Sequence, residues 1–289
     1  MISLGIIFAF FTAIITSLID VWSKKTLKVM NEYVVAFSLR FYSLFFLLPF
    51  FFYLDIPPIN SKFWLALLVS GLLNLITSIL YMKALKASDI SLSVPLVTFT
   101  PLFLLVTSPF LLGEIPTLWG MIGVFSIVIG SYFLNLKSKN SGIFAPFKAL
   151  FHEKGSKMML CVAFLWSISS NFDKIGVQNS SPLFWSFMVN LFIVLTIFPL
   201  VLMRAKADFS QFNIHWKKLL PFGFLNASAV FFQMTAVSLT LVTYVISVKR
   251  LSVVFSVLFG YFIFKEQGIK ERLLGSILMV MGVVIIALS

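Results

Sequence analysis

Apolar runs about as long as a bilayer is thick recur ten times along this chain, at roughly 3–22, 33–53, 63–85, 90–112, 117–136, 158–177, 183–203, 217–239, 241–264 and 271–288. A helix that crosses the hydrocarbon core needs about 20 such residues. The spacing predicts an all-α polytopic membrane protein with ten transmembrane helices. Only 11% of residues are charged, against about 25% in soluble domains, and a soluble core could not hide this much apolar surface. The N-terminus lacks a basic stretch and a small-residue cleavage site, so Leu4 to Trp22 reads as a retained first helix. A single cysteine, Cys161, excludes an intramolecular disulfide framework and any multi-cysteine metal site.

The gaps carry turn or charge signals such as Asp55-Ile56-Pro57-Pro58, Gly113-Glu114-Ile115-Pro116 and Lys265-Glu266-Gln267-Gly268. The longest gap, 137–157, is basic and divides the chain into 1–136 and 158–289. Within it Ile143, Phe144, Phe147, Leu150 and Phe151 recur at helical spacing, the pattern of a short interfacial helix. The halves resemble each other. A shift of 152 residues sets Gly71-Leu72-Leu73-Asn74 on Gly223-Phe224-Leu225-Asn226, Glu114 on Glu266, Gly123 on Gly275 and Gly130 on Gly282. Asp20 and Asp173 correspond at a shift of 153. Five helices per half is an odd number, so the expected plan is two inverted five-helix repeats.

The net charge of +12 points to membrane topology rather than nucleic acid. Sixteen cations fall in gaps after odd-numbered helices, whereas only Lys62 and Lys174 fall after even-numbered ones. Positive gaps stay on the cytoplasmic side. The expected protein lies in a prokaryotic cell (inner) membrane with its linker cytoplasmic and both termini outside.

Pro95-Leu96-Val97-Thr98-Phe99-Thr100-Pro101-Leu102-Phe103, running to Leu112-Gly113-Glu114, resembles the fourth-helix pattern of the drug/metabolite transporter superfamily, EamA branch. Arg250-Leu251-Ser252-Val253-Val254-Phe255-Ser256-Val257-Leu258-Phe259-Gly260, running to Lys265-Glu266, resembles its ninth-helix counterpart, and Gly275 and Gly282 its glycine-spaced last helix. Lys265 stands where the pattern has its closing Gly. The resemblance implies a secondary transporter, with a central cavity among helices three, four, eight and nine and rocking that alternates access. It implies no cofactor and leaves the substrate open. Gly71, Asn74 and Ser78, with Gly223, Asn226 and Ser228, form a small-residue seam suited either to sliding helices or to close static packing.

Lys249 and Arg250 lie inside the ninth apolar run. A charge at that depth costs about 2.5–3.5 kcal/mol on insertion scales and needs a partner or a wet cavity. The 152 shift sets the pair on uncharged Val97 and Thr98, so the cations belong to the second half alone. The dipeptide also resembles the Lys-Arg pair that cradles phosphate in triose-phosphate translocators. Cavity anion binding competes with structural pairing and with snorkelling. Arg40 in the second run is a further cavity cation or a snorkelling one, and Lys83, near a helix end, snorkels. Asp20 and Asp173 are coupling candidates, the rival reading being solvated helix ends. Asn74, Asn226, Gln233, Tyr81 and Tyr244 are polar groups within spans that line the cavity or join helices. Glu114 and Glu266 read as turn structure, and Trp22, Trp166 and Trp185 as interface anchors.

An enzyme would need a nucleophile–base set or metal cluster. The two histidines, His152 and His215, fall in gaps, and no such motif appears. The expected partners are the lipid bilayer, a small-molecule substrate and a coupling proton or counter-substrate, with no nucleic acid and no metal. The substrate expected is anionic or zwitterionic: an organophosphate, carboxylate or amino acid held by Lys249 and Arg250. The alternative is an exporter of amino acids or amphipathic drugs with an aromatic pocket and structurally paired cations.

Overall fold

The computed structural model describes residues 2–52, 57–87, 96–135, 154–206, 208–255, 259 and 273–289. It is all helical, with no strand among the described residues. The long helices are α1 (Ile2–Thr26), α2 (Glu32–Phe51), α3 (Ser61–Ala87), α4 (Thr100–Leu112), α5 (Leu118–Asn135), α6 (Lys154–Gln178), α7 (Pro182–Arg204), α8 (Trp216–Leu239), α9 (Val242–Lys249) and α10 (Leu273–Leu288). A short helix, Ser210–Ile214, joins α7 to α8. The expected interfacial helix at 143–151, Glu266, Gly260 and the end of the ninth apolar run lie outside the described residues, as do Asp55, Ile56 and Pro95. Helix α6 begins at Lys154, inside the stretch read as linker.

Local sequence explains several helix ends. The Asn31 side chain caps α2 by accepting from the Tyr33 N–H at 3.0 Å, and Ser181 caps α7 by accepting from Phe184 at 3.2 Å. Gly113 closes α4 with φ of 68°, a left-handed conformation that glycine adopts without a Cβ clash. That turn sends Glu114 back across the bundle. One of its carboxylate oxygens accepts from the Val242 N–H at 3.0 Å, at the start of α9, and the other pairs with Lys174 of α6.

Five helices, α1, α2, α3, α7 and α8, are by themselves long and apolar enough to cross a bilayer. The surface facing outward is apolar, with Phe45, Val106 and Leu195 each at least 60% exposed, as lipid as solvent requires. Helix α6 is as long as its neighbours but more polar, because its Ser167, Ser169, Ser170, Asn171, Asp173 and Lys174 are buried in the bundle. It runs along α3 and also meets α4, where Asn171 accepts from Ser108 at 2.8 Å and donates to Thr107 at 3.1 Å. The matched glycines of α5 and α10 meet each other. A Cβ on Gly123 would lie 2.7 Å from the Gly282 carbonyl oxygen, and one on Gly130 would lie 2.7 Å from that of Gly275.

Two runs expected as unbroken helices are interrupted. Helix α9 stops at Lys249, turns at 250–251 and resumes at 252–255. The fourth run turns at 98–99 before α4 starts at Thr100, with Pro101 at its first turn. The bonds there are of the tighter i→i−3 kind: Phe99 N–H to Leu96 at 3.2 Å and Leu251 N–H to Val248 at 2.9 Å. The 152 shift superposes the two turns.

Candidate functional site

Both turns open onto one cavity of about 150 Å³, lined by residues of α1, α2, α3, α6, α7, α8 and α9 and by the turn preceding α4. Of the residues singled out from the sequence, Asp20, Arg40, Asn74, Tyr81, Asp173, Asn226, Gln233, Lys249 and Arg250 all line it. Residues far apart in the chain meet here because helix breaks and polar helix faces are tolerated only where they border a cavity or other protein groups.

The two adjacent cations both face inward, a geometry that a continuous helix would oppose and the turn at 250–251 allows. Lys249 donates to the Gln233 amide oxygen at 2.6 Å. Arg250 donates through Nη2 to the Thr100 hydroxyl at 2.9 Å, linking the break in α9 to the start of α4. Trp166 of α6 lies beneath both, its ring centre 5.9 Å from the Lys249 ammonium and 5.5 Å from the Arg250 guanidinium carbon. The same ring packs on Tyr81 at 5.4 Å. From α2, Arg40 donates to Asn190 of α7 at 3.2 Å. Snorkelling therefore fails for these three cations. Their heads are held by neutral groups inside the bundle.

The carboxylates are held by hydroxyl and indole donors. Tyr81 donates to Asp20 at 2.8 Å, and Ser70 and Trp185 donate to one oxygen of Asp173 at 2.5 and 3.2 Å. Neither aspartate is a solvated helix end, and Asp173 is only 5% exposed. Among the described residues no salt bridge joins Arg40, Lys249 or Arg250 to either carboxylate. Asn74 donates to the Ser70 backbone and hydroxyl at 3.0 Å each, and Asn226 keeps its amide nitrogen without a partner.

Several expectations are corrected. Tyr244 does not line the cavity. Its hydroxyl accepts from the Thr117 N–H at 3.2 Å and contacts Ser289 at 3.3 Å, while its ring fills the notch at Gly120, tying α9 to α5 and α10. Lys174 is not a loop cation but a buried partner of Glu114 that also donates to the Thr240 carbonyl at 2.8 Å. Trp185 is fully buried and Trp166 lines the cavity, so neither is an interface anchor. Trp166, Ser170 and Asp173 follow at helical spacing along one face of α6, a periodicity that could have revealed the tryptophan. Thr100, Asn190 and Ser70 offered no such signal. Lys83 stays near the end of α3, donating to the Tyr33 hydroxyl at 2.8 Å.

A bundle of apolar helices around a small cavity of buried charges and hydroxyls is the arrangement of a membrane transporter for small molecules. The model of the EamA-like transporter family matches residues 3–136 and 153–288, and the chain belongs to that family, within the drug/metabolite transporter superfamily. One solved crystal structure matches 98% of this chain and 96% of its own with a TM-score of 0.71 at 14% identity, a likeness of fold alone. No curated protein matches the sequence.

Proposed function

We propose that this protein is a secondary carrier that moves a small anionic or zwitterionic metabolite by alternating access, with Lys249 and Arg250 binding the anionic group. One observation carries the reading. Both cations face the cavity at a helix break and hydrogen-bond only to neutral partners, with no salt bridge to a carboxylate among the described residues. A buried cation without a carboxylate in direct contact is costly, and an anion arriving in the cavity offsets that cost. Arg offers a planar fork and Lys a point charge, the pairing suited to carboxylate or phosphate. Asp20 and Asp173 serve as coupling groups, for a proton or a counter-substrate.

The inverted arrangement of the two halves is supported by their contacts. Gly123 meets Gly282 and Gly130 meets Gly275. Each glycine thus meets the repeat-equivalent of the other, in antiparallel order, as a pseudo-twofold axis between equivalent helices requires. The paired breaks in the fourth and ninth runs fit the discontinuous helices that form midplane sites in such carriers. The end bearing the Glu32–Lys86 pair is assigned to the cytoplasm of a prokaryotic cell, on the charge bias of the gaps. An aromatic drug pocket has less support, because only Tyr81 and Trp166 bring aromatic rings to the described lining and the cations cover one of them.

The test is reconstituted uptake in proteoliposomes. Lys249→Ala abolishes anion-competed uptake while the purified variant keeps its melting temperature to within a few degrees. Wild-type uptake indifferent to phosphate, carboxylates and membrane potential would refute the reading.

A further inference from the structure

The charges and unpartnered donors of the cavity narrow what it carries, on the reading that this cavity is the substrate site. Three lining cations stand against two lining carboxylates, so with all five ionised the cavity holds one surplus positive charge. Among the described residues each lining aspartate accepts on one oxygen only, and the fully buried side-chain atoms of the lining that have no partner are Nε of Arg40, Nε of Arg250, the amide nitrogen of Asn226 and the hydroxyl of Ser23. Arg250 and Asn226 are 5% and 6% exposed, so bulk water does not serve them.

These donors come from different helices. Arg250 enters beside Lys249 from the turn after α9, which packs on α1, α4 and α5 and also touches α8. Arg40 enters from α2, which packs on α3, α7 and α8, and Asn226 lies on that adjoining α8. A cavity of this volume holds a molecule of about benzene's size. We propose that the carried species is a small hydroxylated or oxo monocarboxylate. Its carboxylate lies between Lys249 and Arg250, and its hydroxyl or carbonyl oxygens accept from Arg40 and Asn226. Arg40 is then a specificity-determining residue that reads the uncharged end. A monoanion cancels the surplus charge, whereas a dianion or a phosphomonoester of roughly two charges overshoots it.

The experiment is a thermal-shift titration of the purified full-length protein at constant ionic strength. The probes are glycerate, propanoate, succinate, glycerol phosphate, alanine and glycerol. Glycerate is expected to bind about tenfold tighter than propanoate, the effect of a hydrogen bond to a charged donor, and tighter than the four other probes. Arg40→Gln removes most of that preference and leaves propanoate within a few-fold of wild type. Arg40→Lys, which keeps the charge, and Asn226→Leu, which keeps the volume, each reduce the preference in part, so misfolding of one variant does not decide the matter. Succinate or glycerol phosphate binding tightest, no response to glycerate, or an equal loss of glycerate and propanoate in Arg40→Gln would overturn this inference. Failure of the underlying reading looks different: Lys249→Gln would leave binding of every anion unchanged.

Discussion

Glu114 and Lys174 join four helices, α4, α6, α8 and α9, at one end of the bundle, and breaking that pair gives the sharpest stability test. The side chains are 13% and 8% exposed, so both charges are largely desolvated. Glu114 also holds the first N–H of α9, and Lys174 also holds the Thr240 carbonyl at the end of α8. Replacing Lys174 by Met leaves a buried carboxylate with one backbone donor. Such a loss costs about 3–5 kcal/mol. At about 2 °C per kcal/mol for a chain of this size, the melting temperature in detergent should fall by roughly 6–10 °C. In the double variant Lys174→Met, Glu114→Gln, the uncharged amide still accepts from Val242 and no ion is stranded. Its melting temperature should recover to within about 4 °C of wild type, because removing both charges of a buried pair together is often near neutral. Additive losses in the double variant would show that the two residues act independently and would sink the reasoning.

Further predictions concern packing, the cavity and topology. Gly123→Ala and Gly282→Ala each drive a Cβ into the backbone carbonyl of the facing helix, at 2.7 and 2.6 Å, where no side chain can rotate away. Each should lower stability by about 1–3 kcal/mol, read as a drop in melting temperature. Trp166→Leu removes the ring beneath both cations and should weaken anion affinity about 5- to 30-fold, from two contacts of about 0.5–1 kcal/mol each; an unchanged dissociation constant refutes that role. An alkaline phosphatase fused after Ser289 should be active in cells and a green fluorescent protein there dark, since the C-terminus is assigned outside; the reverse pattern overturns the orientation.

Much of the fold was legible because bilayer physics writes it in long apolar runs, and much of the site because a buried charge is rare enough to stand out. Asp20, Arg40, Asp173, Lys249 and Arg250 were found that way, and all line the cavity. Tyr244 misled because a phenol satisfied by Thr117 and Ser289 looks the same in sequence as one facing a substrate. Lys174 misled because it adjoins an apolar run's end, where a loop and a buried helical turn have the same composition. The partners Thr100, Asn190 and Ser70 stayed hidden, since serines, threonines and asparagines in helices usually bond their own backbone. The breaks at 98–99 and 250–251 were also silent. Pro101 hints at the first, but no glycine or proline marks the second.

That shared break with unshared charge is what separates architecture from function in this chain. Both halves turn at the same repeat position, but only the second half fills it with cations, and the first half answers with Thr100, whose hydroxyl Arg250 reaches at 2.9 Å. If Thr100 merely satisfies a structural arginine, Thr100→Val, nearly isosteric and fully buried, removes a hydrogen bond to a charged group and costs about 1.5–3 kcal/mol of stability, with anion affinity unchanged. If Thr100 instead holds Arg250 ready for a ligand, the same change frees the guanidinium to turn away. Anion affinity then falls by about tenfold or more, while the loss in melting temperature is smaller because an incoming anion had been the better partner. Measuring melting temperature and dissociation constant on the one variant separates the two. A change confined to melting temperature would refute the positioning role and return Arg250 to the scaffold.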